Sequence, residues 1–134
     1  ESDVIGAGRA LFGDGSGIAC ILGTGANSCF FDAQKVAFQI PPLGFWLGDE
    51  GSGGYLGKNL VLGYLHNELP MSIREAFEKQ FGQFDRLPVL EHAYRKPFPN
   101  RYFASFAPFL FDVSVLHLDD SGRPGSKFII VGNN

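Results

Sequence analysis

Three short, β-rich apolar runs set the pattern of the first part of this chain: Ile18-Ala19-Cys20-Ile21-Leu22, Ser28-Cys29-Phe30-Phe31 and Val36-Ala37-Phe38-Gln39-Ile40. Small and polar residues separate them, so they read as strands 18–22, 28–31 and 36–40 of an antiparallel meander. Asp32-Ala33-Gln34 is the second turn, and Pro41-Pro42 ends the third strand because proline cannot donate to a ladder. Ahead of the meander, Val4, Ala7 and Leu11 recur at helical spacing and predict a helix over 3–12, with Ser2 or Asp3 as its cap. Behind it the helical period returns. Leu56, Leu60 and Tyr64, with Val61 and Leu65 beside them, form one apolar stripe and predict a long helix from a cap at Asp49 to about residue 68. Ser72 opens a helix over 73–81, with Glu75 completing a capping box and Gly82 as its stop. Shorter helices are predicted over 88–94 and, capped by Asn100, over 100–111, where Pro108 demands a kink or an early end. The runs 113–118 and 127–131, around the turn cluster 119–125, predict a closing hairpin. The fold class is α/β, an antiparallel meander packed on helices, and the helix after Asp49 is its expected support.

A chain of 134 residues accommodates one domain with a real core. Its 45% hydrophobic and 19% charged residues fit a soluble globular protein, and fourteen phenylalanines supply the large buried surfaces. A net charge of −3 without any Lys/Arg run argues against a nucleic-acid or anionic-membrane surface. No apolar run approaches a membrane span, and Glu1-Ser2-Asp3 does not resemble a signal peptide. Cys20 and Cys29 are expected as buried free thiols of a reducing compartment, the cytoplasm; they and the scattered His66, His92 and His117 give no metal-ligand spacing.

The chemistry is concentrated in two small-residue clusters. Gly23-Thr24-Gly25-Ala26-Asn27-Ser28 joins the first two strands with no bulky side chain at its tip, so backbone N–H groups and short hydroxyls can approach an anion. A plain hairpin turn has the same composition. The second cluster, 43–53, carries Gly44, Trp46, Gly48, Asp49, Glu50 and Gly51. Two such clusters in this order suggest a phosphate and sugar site. Asp49-Glu50 fits helix capping equally well, and Trp46 fits a core position.

Together Asp3, Ile21-Leu22-Gly23-Thr24-Gly25-Ala26-Asn27-Ser28, Pro42-Leu43-Gly44 and Gly48-Asp49-Glu50-Gly51-Ser52 resemble the central part of an N-acetylglucosamine kinase. The broader grouping is the actin-like ATPase superfamily, in the branch that includes the BadF/BadG-type ATPases. The similarity extends to about residue 110, through Tyr55-Leu56-Gly57-Lys58 and Pro97-Phe98-Pro99-Asn100-Arg101, and leaves 111–134 unmatched. It implies ribonuclease-H-like domains around a cleft, ATP with Mg²⁺ as cofactors and an amino sugar as substrate, and it leaves a homodimer open. By residue, it implies that Asp3 is the general base on the sugar hydroxyl and that Gly23, Thr24 and Gly25 face the nucleotide phosphates. Asn27 and Ser28, with Gly44, Asp49 and Glu50, fall to the sugar. A carboxylate at the acceptor hydroxyl is what phosphoryl transfer asks of a base. No Asp-Gly-Gly-type metal loop precedes Asp3 and no adenosine segment follows Val131-Gly132, so a truncated form keeping the interdomain centre is expected. The alternative is a non-catalytic sugar- or partner-binding remnant. A dehydratase-activating ATPase ranks last, because Cys20 and Cys29 flank the glycine loop rather than a cluster site.

Overall fold

The computed structural model describes residues 3–33, 35–83 and 85–116, and in it the chain first lays a helix on a sheet. Helix α1 (Asp3–Phe12) is followed by strands β1 (Ser16–Leu22), β2 (Ala26–Asp32) and β3 (Lys35–Gln39), antiparallel in the order β1-β2-β3. Side chains alternate across the strands, so Ala19, Cys29 and Phe31 turn toward α1 and are buried with Val4. Gly8 of α1 lies against the Phe31 ring so closely that a Cβ there would collide with it. The opposite face exposes Ile18, Phe30 and Phe38, which stand in one cross-strand row.

The rest of the described chain is helical: α2 (Gly44–Leu47), α3 (Gly53–Leu65), α4 (Met71–Phe81), α5 (Arg86–Tyr94), α6 (Pro99–Ala104) and α7 (Ala107–Leu116). Its core is aromatic. Phe77 is fully buried, with ring centroids 4.6 Å from Tyr64, 4.8 Å from Phe81 and 5.5 Å from Phe109. Burying each such ring contributes about 1.5–3 kcal/mol. Helix α3 contributes Leu60, Val61 and Tyr64 to this core, with Leu65 packed against it. Gly57 brings α3 onto α6 at backbone distance, against the Phe103 carbonyl.

Several elements differ from the sequence expectation, each for a local reason. The sheet rests on α1, while α3 meets it end-on at the β1–β2 hairpin. Helix α3 starts at Gly53 behind a Ser52 cap, whose Oγ accepts the Tyr55 N–H at 3.1 Å, and not at Asp49. Asp49 instead sits at φ +58°, and its carbonyl accepts the Ser52 N–H across a turn completed by Gly51 at φ +81°. Helix α4 begins one residue before Ser72, behind Pro70, with no side-chain bond from its cap, and it stops at Gly82 as expected. The helix expected over 100–111 starts at Pro99, which suits a first helical position, and breaks before Ala107. Pro108 then lies in the first turn of α7, where its missing N–H costs nothing. Residues 113–116 are the end of α7 and not a strand, because Phe106, Phe109 and Val113 follow the helical period into the core. The remainder of the expected hairpin lies outside the described residues. Cys29 is buried, but Cys20 points to the open face of the sheet and is exposed; both thiols are free. Trp46 is half-exposed and stacks on Tyr94 at 5.8 Å rather than filling the core. Among the described residues no helix is long and apolar enough to cross a membrane.

Candidate functional site

The site grows from the way the β1–β2 hairpin is docked. Helix N-termini leave amide donors without intrahelical partners. Here the hairpin supplies acceptors: the Gly53 N–H donates to the Gly23 carbonyl at 2.7 Å and the Gly54 N–H to the Thr24 carbonyl at 3.0 Å. A Cβ on Gly54 would crowd the Thr24 carbonyl and the Phe45 ring, so the docking needs glycine there. In return the Asp49 carboxylate accepts the Ala26 N–H at 3.1 Å and lies against Gly25, where a Cβ would press on its Oδ2. Gly25 is therefore small because of Asp49. Four residues of the hairpin are held from one side, and the tip, with Thr24 exposed, is presented on the other.

Two cavities flank this assembly and share Ala26, Asn27 and Asp49. The first, about 380 Å³, is lined by Asp3, Ile21, Gly23, Thr24, Gly25, Ala26, Asn27 and Asp49. Asp3 arrives there from the start of α1, where its Oδ1 accepts the Val4 N–H at 2.9 Å and its side chain is exposed. The second cavity, about 430 Å³, has Ser28, Glu50 and Cys20 as its further polar groups and an apolar wall of Leu22, Ile40, Pro41, Pro42 and Leu43. Of the nine residues singled out in the sequence, Asp3, Gly23, Thr24, Gly25, Asn27 and Asp49 thus meet at the first cavity. Ser28 and Glu50 line the second. Gly44 lines neither; it starts α2 at φ +75°.

The hairpin offers a mixed set of groups to a ligand. Of its amides, Gly23 donates to the Gly25 carbonyl and Ala26 to Asp49, so the loop is a partly used nest rather than a free one. Thr24 contributes a hydroxyl, Asp3 and Asp49 contribute carboxylates, and Asn27 contributes an amide. Among the described residues no group of three His, Cys, Asp or Glu side chains is arranged to hold a metal ion. Three participants have no role in the sequence reading: Ser52, which stands in its motif only as a residue, Gly54, and Gln39, whose Nε2 donates to Asn27 Oδ1 at 2.9 Å. Ser52 before a Gly-Gly pair was the one visible signal, since serine is a preferred cap.

Comparison with known proteins agrees with the resemblance carried by the motifs. The sequence matches no family model and, at a significant level, no curated protein. Sixteen chains of solved structures match it significantly. One is a candidate N-acetylglucosamine kinase from Porphyromonas gingivalis, 48% identical over 83% of this chain, with a TM-score of 0.77. This chain spans 39% of that protein's chain.

Proposed function

We propose that this chain, as part of an N-acetylglucosamine-kinase-like protein, carries the sugar-facing centre of an ATP-dependent phosphotransferase acting on N-acetylglucosamine or a related amino sugar. The observation that carries the reading is the cavity shared by Asp3, the hairpin 23–25 and Asn27. It brings a carboxylate, the glycine hairpin with its Thr24 hydroxyl and a neutral amide to one cavity of about 380 Å³. The 48% identity to a protein named for that activity supports it. The ribonuclease-H-like topology is part of the same proposal.

Asp3 takes the proton of the attacking sugar hydroxyl, which its exposure at the cavity allows. Asn27 holds the sugar through its amide, and Ser28 and Glu50, from the adjoining cavity, bound the sugar side. The Thr24 hydroxyl and the amides of Thr24 and Gly25 face the nucleotide phosphates. Bound ATP would supply the phosphoryl group. Among the described residues no group of three His, Cys, Asp or Glu side chains gathers around one point, and Asp3 and Asp49 are the carboxylates at this cavity. Asp49 has a double role, holding the Ala26 amide and standing between the two cavities.

Calorimetric titration of N-acetylglucosamine into the chain tests the reading. Binding should weaken roughly five- to hundredfold in Asn27→Ala, as for a lost hydrogen bond in a desolvated site, and change only a few-fold in Asp3→Asn. With ATP and Mg²⁺ added, the chain alone should turn over negligibly, since it spans 39% of the matched protein. Sugar affinity that depends on Asp3 and not on Asn27 would reverse the two roles. Robust turnover would show that this span suffices for catalysis.

A further inference from the structure

We infer that Gln39 is a positioning residue that fixes the amide of Asn27 so that its NH₂ group, and not its carbonyl, faces the ligand. The inference rests on the reading of Asn27 as a sugar contact and specifies what that contact can be. Gln39 lies opposite Cys29 in the β2–β3 ladder, and Asn27 is two residues back along β2. Side chains two apart share a face, so the two amides are diagonal neighbours on the α1 side of the sheet. There the Gln39 Nε2 donates to Asn27 Oδ1 at 2.9 Å, with both residues half-buried.

An asparagine amide has one acceptor end and one donor end. With the acceptor end engaged by Gln39, the two N–H groups of Nδ2 are left to the cavity that Asn27 lines with Asp3 and Thr24. The group opposite them must then be an acceptor oxygen, a sugar hydroxyl or an acetamido carbonyl. It also complements the carboxylates of Asp3 and Asp49 on the same wall, which accept only. A ligand rich in oxygens that both donate and accept satisfies both sets at once; a purely cationic ligand does not. Gln39 itself lines neither cavity, so it acts through Asn27.

The test uses the ¹⁵N-labelled chain and three variants, Gln39→Glu, Gln39→Met and Asn27→Asp. Gln39→Glu replaces the donor by an acceptor of the same length, which turns the Asn27 NH₂ toward position 39. The Asn27 side-chain NH₂ resonances of the free chain should move strongly in this variant and little in Gln39→Met. N-acetylglucosamine affinity should fall about tenfold or more in Gln39→Glu and in Asn27→Asp, and only a few-fold in Gln39→Met, with the urea midpoint of all three close to the parent. Equal losses in Gln39→Glu and Gln39→Met, or unmoved Asn27 NH₂ signals, would overturn the positioning role. If the parent chain does not bind the sugar, the proposed function fails, while the Asn27 NH₂ signals still decide the orientation.

Discussion

Replacing Asp49 should loosen the hairpin by an amount that depends on what stands in its place. Asp49 does two separable things in the structure: its carboxylate accepts the Ala26 N–H at 3.1 Å, and its backbone holds φ +58°. A hydrogen bond to a charged group contributes about 1.5–3 kcal/mol, and the lower end applies because this pair is only half-buried. Placing an ordinary residue in the left-handed region costs about 1–2 kcal/mol, which glycine avoids and asparagine largely avoids. Asp49→Ala forfeits both and should lose about 2.5–4 kcal/mol by these two magnitudes together. Asp49→Gly keeps the backbone and should lose about 1.5–2. Asp49→Asn keeps the backbone and an acceptor without the charge, so its loss should be near 1, since charged bonds are about twice as strong as neutral ones. Urea unfolding followed by circular dichroism, with one slope fitted to all four proteins, gives the three differences. The order Ala, then Gly, then Asn is the signature of the docking. Equal losses for all three would mean that the charge alone matters, and losses below about 0.5 kcal/mol, the usual range of neutral surface changes, would mean that Asp49 does not anchor the hairpin.

Two other changes probe the rest of the frame. Gly57→Ala drives a methyl into the Phe103 carbonyl, which only a backbone shift of α6 can relieve, so urea unfolding should show a loss at or above the roughly 3 kcal/mol upper end of ordinary overpacking; a loss under 1 would show that the two helices separate freely. Burial raises the Tyr102 phenol above the ordinary tyrosine value. The folded chain then keeps a proton that the unfolded chain releases, so this contribution is full below about pH 10 and is lost as pH rises through the folded value. Tyr102→Phe should accordingly flatten the fall in stability above about pH 10, and an unchanged slope would contradict the burial.

The parts of the fold governed by neighbours in sequence were legible. Helix α1 and the three strands follow from apolar spacing and from turn residues between runs, and Gly82 at φ +78° ends α4 as a glycine stop should. What failed depended on distant partners. A sequence cannot show that two carbonyls of the hairpin will meet the first amides of α3, so Asp49 looked like the cap when Ser52 holds that place. The run 113–116 alternates in a way that suits a strand or a helix, and the aromatic core around Phe109 decided for the helix. For the site, the glycine loop and Asp3 were visible as residue types, and the first cavity does bring them together with Asn27 and Asp49. Their reasons were not. Gly25 yields to a carboxylate 24 residues later in the chain, and Gln39, which touches Asn27, belongs to no motif.

The most direct test of the central claim is a two-dimensional ¹H–¹⁵N NMR titration of the chain with N-acetylglucosamine. The amides of Thr24, Gly25, Ala26 and Asn27, and those of Val4 and Ile5 beside Asp3, should shift together on a single binding curve. The face of α5 around Leu87 and Tyr94, which lines a separate groove, should stay still. Shifts confined to that groove, or none at all at saturating sugar, would contradict the assignment of the hairpin cavity to the sugar.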